Sequence, residues 1–319
     1  MKILANDGIS PEGVAALKAG GFEVSTTNVP QDQLADAINN KGYVSVLVRS
    51  ATTVRKEVID ACPGLKLIGR GGVGMDNIDV DYARSKGLHV INTPAASSQS
   101  VAELVMGSLF ALSRTTFDSY KLMPSTGTSD FKALKKKYAK GQELRGKTLG
   151  IVGFGRIGQS LASYALGAGM KVVAVDLFTE SAEIKVNIVG HGEVAVNINC
   201  AKNLDEVIST LDYISLHVPK QADGSAVIGT AEFAKMKDGV VLANAARGGV
   251  IDEDALIEAL NSGKVRAAAL DVFENEPNPR ADLLNHEKIA STPHIGAATT
   301  EAQTRIGEEL ASQIISLLK

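Results

Sequence analysis

The sequence predicts an α/β protein with doubly wound parallel sheets, and two features carry that prediction. Short apolar runs recur along the 319 residues, and stretches with helical spacing separate them. The runs are almost continuously apolar, which is typical of parallel strands whose two faces are both covered by helices. Strands are predicted at 44–48, 67–69, 90–92, 148–152, 172–175, 213–218, 240–243 and 267–270.

Capping residues mark where two of the predicted helices begin. Ser100 is followed three positions later by Glu103, and Thr300 is followed by Gln303. A hydroxyl residue with Glu or Gln at this spacing can cap the first turn of a helix. Apolar residues then recur on one helical face after each pair, so we expect two amphipathic helices there.

Two segments interrupt the alternation of strands and helices. Residues 120–146 are polar and rich in lysine, which predicts a linker or an excursion from the fold. Residues 183–199 predict one or two extra strands or a long loop. Elsewhere we expect crossover helices, such as the stretch 254–260 that Gly263 ends.

Composition and charge limit the class of protein. Forty-five per cent of the residues are hydrophobic and 22% are charged, as in globular proteins and unlike disordered chains. The length predicts about two domains. The formal net charge of −3 argues against a nucleic-acid partner, because phosphate neutralisation needs a basic face. No apolar run approaches the ~20 residues of a membrane span, so no membrane contact is expected.

The N-terminus and the cysteines predict the compartment. The opening MKILANDGIS has one lysine and a very short apolar stretch, which does not fit a secretory signal. Cys62 and Cys200 make no disulfide framework and fit a reducing environment. We therefore expect a cytoplasmic protein, and no metal site is predicted.

A glycine-rich turn follows the predicted strand 148–152. Gly153, Gly155 and Gly158 form a GxGxxG pattern between that strand and a helical stretch. The first glycine permits the tight turn, the second lets the backbone approach a pyrophosphate, and the third lets helix and strand pack closely. The helix N-terminus then offers N–H groups to the phosphates. This context predicts a dinucleotide site.

Asp176 ends the next predicted strand, 18 residues after Gly158 (176 − 158 = 18). A carboxylate about 20 residues beyond the glycines binds the adenosine ribose hydroxyls and repels a 2′-phosphate. Asp176 therefore favours NAD over NADP as the cofactor. The alternative is a structural glycine turn beside a solvated aspartate.

Hydride transfer between a nicotinamide and an alcohol carbon needs a base, and five histidines are candidates because imidazole titrates near neutral pH. His89 lies inside a predicted strand and is expected to be packed. His191 and His286 lie in polar, loop-like sequence and are expected to be solvated. His217 and His294 stand near a proline at a strand end, where open α/β sheets bind ligands. Small residues follow His294, so we favour it over His217.

The same chemistry needs a cation for the substrate and a carboxylate for the base. Arg247 lies just past the predicted strand 240–243 with glycines after it, which fits a functional loop, although it could also cap or pair on the surface. Glu276 follows the strand 267–270 in an acidic loop. Composition alone does not decide which carboxylate of that loop would face a histidine.

The ordered motifs of the chain resemble the D-isomer-specific 2-hydroxyacid dehydrogenase family over nearly the whole length. Each short motif alone has false positives, but their joint order is specific. The motifs are VRSAT (48–52), GRGGVGMDNID (69–79), NTP (92–94), GKTLGIVGFGRIG (146–158), ARGG (246–249), DVFENEP (271–277) and TPHIGA (292–297).

The resemblance implies an NAD-dependent enzyme that moves a hydride between the cofactor and a D-2-hydroxy acid. His294 would accept and return the hydroxyl proton, Glu276 would hold the imidazole, and Arg247 would grip the substrate carboxylate and carbonyl oxygen. The resemblance adds cofactor contacts from Val73, Arg156, Ile157, Val218, Pro219, Ala245, Ala246, Arg247, Asp271, His294, Gly296 and Ala297.

The resemblance also implies a discontinuous domain order. A doubly wound parallel-sheet Rossmann NAD domain, residues 96–294, would be inserted into a flavodoxin-like substrate domain formed by residues 1–95 and 295–319. The active site would lie in the cleft between the domains, with closure bringing residues 71–74 and Arg49 toward the nicotinamide. A homodimer is expected.

The choice of substrate depends on cationic groups other than the arginine that binds the substrate carboxylate. A phosphorylated 2-hydroxy acid needs additional hydrogen-bond donors for its phosphate. The substrate-binding candidates are Arg49, Ser50, Arg70, Gly71, Gly72 and Val73, together with Arg247 and His294. In the family the lysine-rich region crosses toward a dimer partner, so one of residues 135–137, for example Lys135, would reach the neighbour's substrate. A solvated lysine face is the alternative. The absence of tryptophan from this region departs from many relatives.

Two alternatives accompany the expected oxidation of a phosphorylated acid. One is a reductase of plain 2-oxo acids such as glyoxylate or hydroxypyruvate. The other is an NAD-sensing corepressor, which the compact chain and the phosphate candidates disfavour. Longer relatives carry a C-terminal domain that senses serine, and this chain ends at Lys319, so no serine feedback is expected.

Overall fold

A computed structural model describes residues 1–319, which divide into two compact units. Unit 1 comprises Met1–Ser100 and Ala297–Lys319, and unit 2 comprises Val101–Gly296. The two chain segments of unit 1 therefore enclose unit 2 in the sequence.

The elements follow one another in an almost regular alternation. The strands are β1 Lys2–Ala5, β2 Glu23–Ser25, β3 Tyr43–Val48, β4 Leu67–Arg70, β5 His89–Asn92, β6 Thr148–Val152, β7 Lys171–Val175, β8 Ser181–Ile188, β9 Gly192–Ala201, β10 Tyr213–Leu216, β11 Val240–Asn244, β12 Val265–Leu270 and β13 Ile289–Ser291. The α-helices are α1 Pro11–Ala19, α2 Leu34–Lys41, α3 Lys56–Ala61, α4 Val80–Ser85, α5 Ser98–Arg114, α6 Thr116–Thr126, α7 Phe131–Lys137, α8 Arg156–Gly167, α9 Thr230–Lys235, α10 Glu253–Ser262, α11 Ala281–Leu284 and α12 Thr300–Leu318.

Unit 1 is built on a five-stranded parallel sheet in the order β2-β1-β3-β4-β5. Neighbouring residues of its strands belong to separate apolar clusters: Ile3 and Leu47 pack with α12, whereas Leu4 and Val46 pack with α2. Both sheet faces are covered by helices, which explains why the strand sequences are almost continuously apolar.

Unit 2 is built on an eight-stranded sheet in the order β13-β12-β11-β10-β6-β7-β9-β8. All neighbours are parallel except β8, which runs antiparallel to β9. The chain passes from β6 to β7 on one side and places β10 on the other side of β6. Open sheets bind ligands at such a switch point, beyond the carboxyl ends of the strands. The predicted α/β class with parallel sheets is confirmed.

The structure corrects one predicted element, confirms another and adds three strands. The expected linker 120–146 contains most of α6 and all of α7. Residues 183–199 form a hairpin of β8 and β9, the first of the two possibilities predicted for them. Three short strands, β1, β2 and β13, had no predicted counterpart.

The two capping boxes are also displaced. Helix α5 begins at Ser98, so Ser100 lies inside its first turn, and the Ser100 hydroxyl instead hydrogen-bonds the Thr299 hydroxyl at 2.9 Å. The N-cap of α12 is Thr299, one residue before the predicted cap, and its side chain accepts a bond from the Ala302 N–H. At the first helix, the Ser100 hydroxyl makes a tertiary contact and not the expected cap. At the second helix, the cap lies one residue before the predicted position. None of the twelve helices is both long enough and apolar enough to traverse a lipid bilayer.

Candidate active site

The glycine turn joins β6 to α8. Gly153 has φ +93°, and a Cβ there would lie 2.5 Å from the His217 carbonyl oxygen; a Cβ on Gly158 would collide with the Gly153 carbonyl oxygen. Gly155 caps α8 without a side chain and has open space where its Cβ would point. The first and third glycines therefore pack the turn, and the second leaves room for a ligand beside the N–H groups of the helix. These residues fit the pyrophosphate of a dinucleotide.

Asp176 lies immediately after β7 at the same edge of the sheet. Its carboxylate accepts hydrogen bonds from the backbone N–H groups of Phe154 at 2.7 Å, Thr179 at 2.8 Å and Phe178 at 2.9 Å. Burial disfavours the charged form, but these three donors outweigh it and lower the pKa of Asp176. The aspartate is ionised near neutral pH and ties the glycine turn to the loop after β7.

His217 follows β10 and lies against the glycine turn. Its Nε2 shares a 2.8 Å hydrogen bond with the Ser215 hydroxyl, whereas its buried Nδ1 has no hydrogen-bond partner. Burial lowers the pKa of His217 from 6.5 to about 4. The imidazole is thus neutral near pH 7 and packed, which fits a structural neighbour of the cofactor site better than a proton acceptor.

His294 and Glu276 form a pair at the carboxyl edge of the unit 2 sheet. The His294 Nδ1 lies 2.7 Å from Glu276 Oε2, and the other carboxylate oxygen accepts a 2.9 Å bond from the Phe273 N–H. The His294 side chain is 42% exposed, and its second nitrogen, Nε2, has no hydrogen-bond partner in the protein. The backbone of His294 has φ +53°, a left-handed conformation that non-glycine residues adopt at a cost and that is common at functional sites.

Asp271 holds the loop that carries His294. Its buried carboxylate accepts bonds from the Thr292 hydroxyl at 2.6 Å and from the N–H groups of Ile295 and Gly296, each at 2.8 Å. The sequence assigned Asp271 to the cofactor only through the resemblance. Its positioning of the His294 loop had no sequence signal, because the three donors lie more than twenty residues away.

Arg247 lies in the loop after β11, which a neighbouring asparagine shapes. The Asn244 side chain donates to the Arg247 carbonyl at 2.9 Å and accepts from the Ala246 N–H at 3.0 Å, and the Arg247 guanidinium donates to the Ala246 carbonyl at 2.6 Å. A Cβ on Gly248 would collide with the Phe273 carbonyl. The glycine therefore lets this loop pack directly on the loop that carries Glu276.

The remaining cofactor candidates of unit 2 lie along the same edge. Arg156 and Ile157 are the first residues of α8, Val218 and Pro219 follow β10, Ala245 and Ala246 follow β11, and Gly296 follows His294. Ala297 belongs to unit 1.

The substrate candidates of unit 1 follow β3 and β4. Arg49 donates its backbone N–H to Asp7 at 2.6 Å, and the structure gives its guanidinium no hydrogen bond or ion pair. Arg70 instead folds back: its guanidinium lies where a Gly72 side chain would be, and it donates to the Gly71 carbonyl at 3.3 Å. Ser50 and Val73 are exposed. Arg49 is therefore the arginine of this set best placed to take an anionic ligand.

The lysine-rich helix α7 is mostly exposed. Lys137 binds Asp118 at 2.7 Å, whereas Lys135 and Lys136 are solvent-exposed.

Of the other histidines, His191 is exposed in the turn between β8 and β9, and His286 is half-buried beside Asn261. His89 is exposed at the start of β5, so the prediction that it is packed was wrong.

Comparisons with known proteins identify the family to which the chain is similar. The family model described as D-isomer specific 2-hydroxyacid dehydrogenase, NAD binding domain, matches residues 106–296. Hydroxypyruvate reductase of Thermotoga maritima is 42% identical, covering 99% of this chain and 98% of that protein. D-3-phosphoglycerate dehydrogenase of Methanocaldococcus jannaschii is 39% identical over 100% of this chain, which spans 58% of that longer relative.

Solved structures agree with these sequence matches. D-lactate dehydrogenase of Aquifex aeolicus, complexed with NAD and lactic acid, is 30% identical with a TM-score of 0.77, covering 100% of this chain and 95% of that one. Glyoxylate reductase of Paecilomyes thermophila is 27% identical with a TM-score of 0.83, covering 100% and 96%. The resemblance and the NAD prediction are confirmed: the chain belongs to the D-isomer-specific 2-hydroxyacid dehydrogenase family of NAD-dependent enzymes.

Proposed function

We propose that the chain oxidises D-3-phosphoglycerate to 3-phosphohydroxypyruvate with NAD, a first step of serine biosynthesis in the cytoplasm. The observation that carries the reaction type is the hydrogen-bonded pair of His294 and Glu276, held beside the loop of Arg247. A partly exposed imidazole oriented by a carboxylate is a suitable base for an alcohol proton.

The roles of the three residues follow from their contacts. Glu276 accepts from Nδ1 of His294, so the proton of the neutral imidazole lies on Nδ1 and the lone pair on Nε2. During oxidation Nε2 takes the hydroxyl proton, and Glu276 stabilises the imidazolium that results. Arg247 fixes the substrate carboxylate through its guanidinium. When bound, NAD would supply the hydride acceptor for the carbon that carries the substrate hydroxyl.

The surroundings of Arg49 support the proposal that the substrate is phosphorylated. This residue lines a cavity of about 610 Å³ within unit 1, together with Thr299, Thr300 and Gln303. A guanidinium without a protein partner, next to hydroxyl and amide donors, suits a phosphate. Ser50 and the glycine loop 71–73 complete the proposed substrate contacts. We further propose a homodimer in which Lys135 of one copy approaches the substrate of the other.

Reduction of hydroxypyruvate is the second candidate function. It is favoured by the 42% identity to the hydroxypyruvate reductase of Thermotoga maritima, against 39% to the phosphoglycerate dehydrogenase of Methanocaldococcus jannaschii. Asp7 and Glu12 also line the cavity of Arg49, and their carboxylates would oppose a phosphate. Both candidates use the same His294, Glu276 and Arg247.

A substrate panel followed by NADH absorbance separates the two functions. D-3-phosphoglycerate and 3-phosphohydroxypyruvate are compared with D-glycerate, hydroxypyruvate and glyoxylate. Arg49→Ala should raise KM for the phosphorylated acids by at least about tenfold and change KM for the plain acids little. Arg84→Ala, at an exposed arginine of α4, is the control. Equal losses for both classes of acid contradict the phosphate assignment, and turnover of no acid would favour an NAD-sensing protein.

A further inference from the structure

The eight-stranded sheet of unit 2 ends in a strand that pairs on one side only. β8 is the terminal strand, and its sole partner is β9, in an unbroken antiparallel register from Ser181↔Asn199 to Ile188↔Gly192. The proposed function uses no residue of this hairpin. A regular edge of eight residues is long enough to accept another strand.

The direction of the free backbone groups follows from one bond next to the hairpin. The Cys200 N–H donates to the Glu180 carbonyl at 2.8 Å, so residue 180 points its carbonyl at β9. Because these directions alternate along a strand, the even-numbered residues of β8 bond to β9 and the odd-numbered residues point to the open edge. The outward set is Ser181, Glu183, Lys185 and Asn187.

The side chains of β8 divide into the same two sets. The odd-numbered residues are exposed, and Glu183 and Lys185 stand on either side of Ile184, which is buried in the unit 2 core. The even-numbered residues are apolar, and Ile188 at the end of the row remains 46% exposed. One charge of each sign thus flanks the midpoint of the strand.

We propose that β8 is a self-association surface, at which a second copy of this chain adds its own β8 in antiparallel about a two-fold axis through Ile184. In that register each Glu183 lies opposite the partner's Lys185, and each Ser181 lies opposite the partner's Asn187. The residues that face one another are those whose N–H and C=O groups point outward, so each such pair exchanges two hydrogen bonds. An interface made this way is self-complementary, as a two-fold axis requires.

The charges of Glu183 and Lys185 favour this register over the registers shifted by two residues. Sliding the second strand by two residues sets Lys185 against Lys185 or Glu183 against Glu183, and like charges directly opposite one another destabilise a strand pair. A lysine on an edge strand commonly prevents pairing. Here Glu183 offsets the charge of the partner's Lys185 only when the incoming strand is a second copy of β8 that runs antiparallel to the first. In a single chain Lys185 binds Glu193 at 2.9 Å, and the Lys185 side chain stays 58% exposed.

Sedimentation velocity over a range of protein concentrations tests the proposal. The wild-type mass should double as concentration rises. Glu183→Lys places lysine opposite lysine while leaving the Lys185–Glu193 ion pair in place, and should raise the dissociation constant of this step about tenfold or more. The double exchange Glu183→Lys with Lys185→Glu restores opposite charges and should recover association. Glu258→Lys, at an exposed position of α10, makes the same change in net charge as a control.

A second pair of experiments tests the strand contact itself. Asn187→Pro removes an outward N–H and no bond to β9, so it should weaken association while NADH titration shows the fold intact. Ser181→Cys and Asn187→Cys should form a disulfide between copies when mixed in the presence of a mild thiol oxidant, and neither should cross-link alone. Contacts at other surfaces change the starting mass but not these responses. A wild-type mass that never doubles, equal effects of Glu183→Lys and Glu258→Lys, or no recovery in the double exchange overturns the proposal.

Discussion

Two carboxylates fix His294 in different ways. Glu276 binds the ring through Nδ1, and Asp271 accepts from the Thr292 hydroxyl on one side of the loop and from the Gly296 N–H on the other. The left-handed φ of His294 is sustained by these contacts, because an isolated residue of this kind would relax. Orientation of the imidazole therefore depends on residues with no proton-transfer role.

His294→Asn should abolish most turnover without disturbing the loop. Asparagine tolerates the left-handed backbone better than other residues, so the substitution removes the base and keeps the conformation. We expect kcat to fall by roughly 10²–10⁴ and the NADH dissociation constant to stay nearly unchanged. Steady-state rates and fluorescence titration measure the two quantities. His286→Asn is the control, and unaltered kcat in His294→Asn would refute the proton-acceptor role.

His217 should make stability depend on pH. Its pKa is about 4 in the folded chain and near 6.5 when unfolded. Between these values the unfolded chain binds a proton that the folded chain does not. The stabilisation is complete above about pH 6.5 and is lost as the pH falls toward 4, by about 3 kcal/mol at most.

Urea unfolding at about pH 7.5 and about pH 5 measures this dependence. His217→Asn should show a smaller loss of unfolding free energy between the two values than the wild type. His89→Asn, at an exposed histidine, should lose as much as the wild type. An equal loss in all three proteins would mean that His217 is protonated in the folded state.

At the scale of elements, Gly155 at the N-cap of α8 and Gly158 in its first turn have separable effects. Gly158→Ala pushes the helix away from the Gly153 carbonyl and should lower both the melting temperature and NADH affinity. Gly155→Ala meets open space, so it should leave the melting temperature unchanged and lower NADH affinity about tenfold or more by occupying room for the pyrophosphate. Gly167→Ala, near the other end of α8, is the control. Unchanged NADH affinity in Gly155→Ala would place the phosphates elsewhere.

The sequence predicts best those elements whose local pattern of apolar residues reflects how they are buried. β3, β6 and β11 are buried on both faces, and continuous apolar runs predicted them nearly to the residue. α6 and α7 were missed because their composition is polar and neither contains the apolar stripe of a core-facing helix.

The site divides in the same way. The glycine turn, Asp176 and His294 each carry a local signal that predicted a role. The choice of Glu276 among neighbouring carboxylates, and the loop-holding contacts of Asp271, depend on segments that approach only in the folded chain. Spacing along the sequence contains no information about such approaches.

At the scale of the whole molecule, each unit has its own sheet and its own apolar core. In unit 1 that core needs the C-terminal segment: Ile306, Leu310 and Ile314 of α12 pack in one cluster with Ile3 and Leu47, near the other end of the chain. Unit 2 is a single continuous segment whose two clusters contain no residue of α12. Local stability should therefore differ between the units.

Matched leucine truncations should destabilise one unit at a time. Leu310→Ala in unit 1 and Leu260→Ala in unit 2 each remove a buried helical leucine, at a cost of about 2–5 kcal/mol. Hydrogen exchange should accelerate in β1 and β3 for the first variant and in β11 and β12 for the second, because opening free energies are local. NADH affinity should fall only in the second, since the glycine turn and Asp176 belong to unit 2. Acceleration across both sheets in either variant would show that the units open together.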